Sequence, residues 1–225
     1  MFVGHYAFGY YLKAKHNYVP LWLIFLGVQF VDLLWALFIF LGIERASFDP
    51  DATSVFLRAV YEYYPYTHSL FTSVSIALLA AFVVYKLLNK KWAMVTGIAI
   101  VSHWFLDLLV HVPDVPLFFD SYKVGLGLWN YPVATLVLEV ALLTAGLWYF
   151  LKDEQNKRTK IWASGIYAFL ALFYIASFFA PAVPPTPMQI GIFGMIIYSA
   201  VPVLAYLAER KKDEATVAET TSREQ

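Results

Sequence analysis

The sequence predicts an all-α fold: a polytopic membrane helical bundle of about six transmembrane helices with a short N-terminal re-entrant helix. Three observations carry that prediction. Of 225 residues 60% are hydrophobic and only 14% charged, against about a quarter charged in soluble domains, so too few polar groups exist to coat a water-facing surface. Six apolar runs, at about 19–43, 66–88, 92–112, 132–151, 161–180 and 188–208, match the roughly 20 residues that cross a bilayer as a helix. Lys and Arg also segregate to alternate connections between those runs, as the positive-inside rule requires of a multi-pass chain.

Taken in order, the first apolar segment, Phe2 to Leu12, is too short to cross alone. It reads as a helix over about 2–13 that turns at Lys15-His16-Asn17 and pairs with the first span as an antiparallel hairpin. Gly4, Ala7 and Gly9 give it a small-residue face for close packing. The first span follows Lys13 and Lys15 without a small-residue cleavage site, so it is expected as a retained span and not a signal peptide. Thr67 and Ser69 stand where the second span begins and read as its caps, with a nucleophilic role as the other option. Pro113 ends the third span. The Pro-rich link over 181–187 is a stiff, extended connector. Residues 1–208 thus form one transmembrane domain, with a charged, disordered cytoplasmic tail expected over 209–225.

Thirteen cations fall on one side: Lys13, Lys15, Lys86, Lys90, Lys91, Lys152, Lys157, Arg158, Lys160, Arg210, Lys211, Lys212 and Arg223. Arg45, Arg58 and Lys123 fall on the other. Both termini are therefore expected in the cytoplasm, with the protein in the cell (inner) membrane. Zero formal net charge gives no global field for nucleic acid. The absence of cysteine excludes disulfides, thiol catalysis and thiolate metal sites, leaving nitrogen and oxygen ligands for any metal.

Asp32, Asp107 and Glu139 lie inside spans. Uncompensated, they would cost roughly 9 kcal/mol at about 3 each, as much as a domain's whole net stability. They must be paired, protonated or bound to metal. Neutral acids hydrogen-bonded between helices are the simplest answer for one isolated acid, but the third span argues for more. His103, Asp107 and His111 recur at i, i+4 and i+8, within an arc of about 80° and rising about 6 Å per step. Two histidines so far apart do not share one ion, whereas a carboxylate between them can bridge two. The expectation is a site of more than one metal bridged by Asp107. His68 at the outer end of the second span and Glu139 two turns below the outer end of the fourth reach the same outer half of the membrane. Asp32 lies slightly past the midpoint of the first span. His5 joins them if the hairpin folds back, while His16 in the turn is expected to be a solvated bystander. The last two spans carry no such groups and read as scaffold. Imidazole and carboxylate donors suit zinc, with manganese or iron as alternatives. In the outer loop Lys123 and Asn130 are candidates to hold a phosphate or head group, and Gly125 and Gly127 to let the backbone approach a ligand. An interfacial loop anchored by Trp129 and Tyr131 is the competing reading. Asp114, beyond Pro113, is not expected as a ligand.

The order His5, Asp32, Tyr-Thr-His68-Ser-Leu, then Ser-His103-Trp-Phe-Leu-Asp107 resembles the membrane-bound metal-dependent hydrolases, a family also described as LexA-binding, inner-membrane-associated hydrolases, over about residues 1–150. More distantly, it is similar in ligand order to zinc-dependent phospholipase C and related single-strand nucleases. That likeness implies His5, Asp32, His68, His103, Asp107, His111 and Glu139 as ligands. The soluble enzymes carry a His-x3-Glu late in the chain, whereas Thr135 precedes Glu139 here, so two ions are expected and not three. Their N-terminal amine also binds metal, which implies such a role for Met1 if the hairpin forms.

Together these readings predict an integral-membrane, metal-dependent hydrolase of phosphoester bonds in a lipid or lipid-linked substrate. Metal-bound hydroxide would attack phosphorus, with Asp32 or Glu139 as general base if either is not a ligand. The rivals are a metal-ion or proton transporter, disfavoured by the near absence of polar residues in the cytoplasmic half, and a non-catalytic membrane scaffold.

Overall fold

The computed structural model describes residues 1–223 except residue 182, with side chains described through residue 209. Seven helices dominate the described residues: α1 (Val3–Lys15), α2 (Leu21–Phe40), α3 (Leu70–Leu87), α4 (Lys90–Val110), α5 (Pro132–Leu151), α6 (Lys157–Phe178) and α7 (Pro187–Arg223). Six are long and apolar enough to cross a membrane, with α7 counted from Pro187 to Glu209. They mark the chain as a membrane protein. The only strands among the described residues form two small antiparallel hairpins, β1 (Arg45–Phe48) with β2 (Ala59–Tyr63) and β3 (Val115–Phe118) with β4 (Ser121–Val124), in the connections after α2 and α4.

The helix ends follow local chemistry. Ser69 caps α3 by accepting from the Thr72 amide at 3.1 Å, which gives this residue the capping role expected of it. Asn89 and Asn156 cap α4 and α6 in the same way. Proline occupies the first turn of α5, where its missing N–H is not needed. Pro20 precedes α2 and has no side chain able to cap it. Glu209 of α7 takes over that task, accepting from the amides of Leu21 at 2.8 Å and Trp22 at 3.3 Å, and it pairs with Lys13 at 3.3 Å. An acidic group at a helix N-terminus is favoured by the dipole as well as by the free amides. Glu209, expected as the first residue of a loose tail, is thus part of the packed body. The rest of that expected tail lies outside the residues whose side chains are described.

Helix α1 does fold back. Tyr6 and Tyr10 meet Phe25 of α2 edge-on at centroid distances of 5.3 and 5.1 Å, so the short helix runs antiparallel to the first span. Its other flank lies on α5, where Gly146 permits the contact. A Cβ added there would stand 2.5 Å from the Ala7 carbonyl oxygen. The small residues expected to serve close packing do so, but across two helices and not one. Helix α3 lies at the rim, with Leu78 and Leu79 68% and 66% exposed toward the lipid. Helix α7 lies chiefly along α2 and touches α6 only slightly.

Candidate metal centre

Helices α1, α2 and α4 and the start of α3 bring the ionisable side chains together. His103 and Asp107, one turn apart on α4, have Nε2 and Oδ2 3.1 Å apart. Asp32 of α2 places Oδ1 3.5 Å from His103 Nε2 and 3.3 Å from His68 Nε2. His68 Nε2 is 3.7 Å from Asp107 Oδ2. On the other side of Asp107, Oδ1 lies 3.2 Å from His5 Nε2 and accepts from the Met1 amine. The His5 and His103 rings stack 3.9 Å apart. Two donor groups result, His5–His103–Asp107 and Asp32–His68–His103, each with its atoms within 4.8 Å of one another.

The ring nitrogens have defined roles. His103 Nδ1 is 2.9 Å from the Val28 carbonyl oxygen, which can only accept, so Nδ1 carries the hydrogen. His68 Nδ1 is 2.8 Å from the Thr67 hydroxyl, whose own hydrogen goes to Glu44 Oε2 at 2.7 Å. His68 therefore donates to Thr67. In a neutral ring Nε2 is then a lone pair facing carboxylate oxygens, an arrangement that requires a metal ion or a proton between them. His103 Nε2 and both nitrogens of His5 are buried without a hydrogen-bond partner. Nitrogen and oxygen ligands about 2.0–2.2 Å from a tetrahedral zinc stand about 3.4 Å from each other, and the spacings here run from 3.1 to 3.7 Å. The residues fit a metal on spacing, donor chemistry and tautomer. Asp107, with one oxygen in each direction, has the geometry of a bridge.

Supporting groups hold these ligands in place, as outer-shell partners of metal sites do. Gln29 donates to Asp32 Oδ2. Glu44 is buried and accepts from the amides of Tyr66 and Thr67 at 2.8 and 3.0 Å, besides the Thr67 hydroxyl. Burial pushes its carboxyl above the ordinary glutamate range, opposed by His68 and the Thr67 bonds. Glu139 accepts from the Phe2 and Gly4 amides at 2.9 and 3.2 Å and from the Tyr174 hydroxyl at 2.8 Å. It thus ties the free N-terminal amides of α1 to α5 and α6.

The expected residues divide clearly. His5, Asp32, His68, His103 and Asp107 come together. Glu139 lies outside both donor groups, its oxygens occupied by three donors. His111 also lies outside them, because α4 ends at Val110 and the chain turns extended at His111, two residues before Pro113. The i, i+4, i+8 stripe is broken at its last member. His111 instead bonds Asp114 at 2.9 Å and lies against Trp129, the ring centroids 3.9 Å apart and the planes tilted by 39°. The chain is similar to no known family model, no curated protein and no solved structure. The metal-centre reading rests on these residues alone.

A cavity of about 650 Å³ adjoins the cluster, with Asp32, His68, Asp107, His111 and Glu139 on its wall. Lys123 and Asn130 do not line it. Lys123 pairs with Asp120 at 2.9 Å, and the Asn130 side chain donates to the Gly127 carbonyl at 2.9 Å. Gly125 serves backbone packing on the end of α4, since a Cβ there would lie 2.1 Å from the Val112 oxygen. Helices α6 and α7, expected as scaffold, supply one side of the cavity through Phe173, Tyr174, Phe193 and Ile197. His16 sits in the turn at the far end of α1, its Nδ1 3.0 Å from the Tyr18 hydroxyl. Gln29, Glu44 and Tyr174 are the residues that sequence reasoning missed. Glu44 reads as a loop acid beside Arg45, and Tyr174 is one of sixteen tyrosines.

Proposed function

We propose that this protein is a membrane-embedded, metal-dependent hydrolase of phosphoester bonds in a lipid or lipid-linked substrate, working with two ions of which zinc suits the donors best. The observation that carries the reading is the pair of buried donor groups that share His103, with Asp107 turning one oxygen toward His5 and the other toward His68, orphaned imidazole nitrogens beside carboxylates and an accessible cavity alongside. Ions bound there supply Lewis acidity and lower the pKa of water toward 7. His5, His68, His103 and Asp107 are the residues that would hold them, and Asp32 joins them only where it does not serve as the base. The same centre is proposed to lie in the outer half of the cell membrane, with both termini cytoplasmic.

The chain's own part in the reaction is positioning and proton handling. Asp32 is the least enclosed of the clustered carboxylates, its side chain 13% exposed against 2% for Asp107. It is the better placed general base, since Glu139 already accepts from three donors. Water supplies an oxygen to phosphorus and the P–O bond to the lipid alcohol breaks. The proton taken by Asp32 ends on that leaving alcohol.

The test is metal content and turnover of a chromogenic phosphodiester by protein in lipid nanodiscs. Wild type should hold roughly one to two equivalents of transition metal, and Asp107→Ala should lose most of it along with activity, since the bridge serves both ions. Protein that is metal-free, stable and fully active after chelation would sink the proposal.

A further inference from the structure

The cavity continues past the donor cluster into the space between α6 and α7. Ser177, Phe173, Phe193, Ile196 and Ile197 line it there. Three of these residues are also on the outer surface of the bundle: Phe193 is 63% exposed, Ile196 61% and Phe173 42%. The same side chains face both the cavity and the hydrocarbon, so the cavity opens sideways into lipid. Helix α7 packs chiefly along α2 and much less on α6. The other end of the cavity is lined by Phe56, stacked on Tyr174 at a centroid distance of 5.7 Å, and by Trp129, whose ring lies 3.9 Å from that of His111.

Building on the hydrolase reading, we propose that the gap between α6 and α7 is a lateral entry for the hydrocarbon chain of a membrane phospholipid. The phosphate then reaches the Asp32 and Asp107 end while the chain stays in an apolar surround. The physical gain is not attraction, because lipid tails are as apolar as these side chains. It is the avoided transfer of the chain into water, which disfavours extraction by about fourfold for every methylene. A site reached only from the aqueous side would bear that penalty in full. The size of the cavity suits this use, about 650 Å³ within the roughly 300–1,000 Å³ of small-molecule sites. One end offers carboxylates and imidazoles and the other, Ser177 apart, apolar groups, which is the polarity of a phospholipid.

The experiment is photolabelling in nanodiscs with a phosphatidylglycerol whose acyl chain carries a diazirine, mapped by peptide mass spectrometry. Labelling should concentrate several-fold on Phe173, Ser177, Phe193 and Ile197 over Leu78 and Leu79 of α3, which are at least as exposed to lipid. Filling the gap from either helix, by Ile197→Trp or Ser177→Trp, should bring it down to the α3 level, while Ser177→Ala should leave it unchanged. Even labelling around the bundle, indifferent to both tryptophans, would overturn the lateral entry. Turnover separates this from the underlying reading. Hydrolysis of a soluble phosphodiester with even labelling removes the chain site and keeps the hydrolase, and concentrated labelling without metal or turnover does the reverse.

Discussion

Gly146→Ala should disable the metal centre without touching any residue in it. The added methyl would stand 2.5 Å from the Ala7 oxygen and 3.0 Å from the Ala7 Cα, where ordinary contact begins at 3.4 Å. Both obstacles are backbone, so relief requires α1 as a whole to move by about 0.9 Å, and overpacking of this kind costs typically 1–3 kcal/mol of stability. Helix α1 carries His5, 3.2 Å from Asp107, and the Phe2 and Gly4 amides on Glu139. A shift near 1 Å is enough to cost about a hundredfold in a positioned reaction, and perturbing the surroundings of a metal typically costs 10–100-fold in affinity. Metal affinity, read by competition with a chromogenic chelator, should fall by that order while the protein remains folded in nanodiscs. Gly165→Ala on α6, with nothing within 4 Å of the added methyl, is the matched control and should be silent. Unchanged affinity in Gly146→Ala would refute the idea that the α1–α5 contact sets the site.

Three further outcomes follow from the same geometry. His5→Ala should weaken metal binding by about 10–100-fold, whereas His16→Ala, about 16 Å away along α1, should be nearly silent; equal effects would remove His5 from the site. Thr67→Val leaves the His68 Nδ1 hydrogen unaccepted and Glu44 without its hydroxyl donor, so metal affinity should drop by the 10–100-fold order of lost outer-shell partners. Thr67→Ser, which keeps the hydroxyl, should restore it. For topology, cysteines placed at the exposed positions Asp51 and Ser121 should label from outside, and one at Asp153 only from inside, with no background thiol in the wild type; the inverse pattern would reverse the orientation.

The number of spans, and their limits to within about four residues, were legible in the sequence because both signals are local. A run of apolar residues meets the bilayer as a unit, and its ends are marked by its own neighbours, as at Ser69, Asn89 and Pro132. His103 and Asp107 were legible for the same reason, since one turn of one helix fixes their relation. Even the return of α1 could be inferred, because a segment too short to cross and rich in small residues has few places to go.

What the sequence alone did not decide lies where the helical period stops or where residues distant in sequence meet. The stripe predicted His111 as a ligand, but the helix ends one residue earlier, and a period of 3.6 has no authority beyond the last helical residue. Glu139 looked like a ligand by depth, yet its oxygens are taken by amides from the start of the chain and by Tyr174. Glu44 became part of the His68 support, and Glu209 the cap of α2, only through contacts across 23 and 188 positions. The last two helices, featureless by composition, form a wall of the cavity because α7 chose α2 and not α6 as its packing partner. Composition and period state which residues must avoid water or lipid. Which helix answers that need is settled by packing among all of them at once, and that information exists only in the tertiary structure.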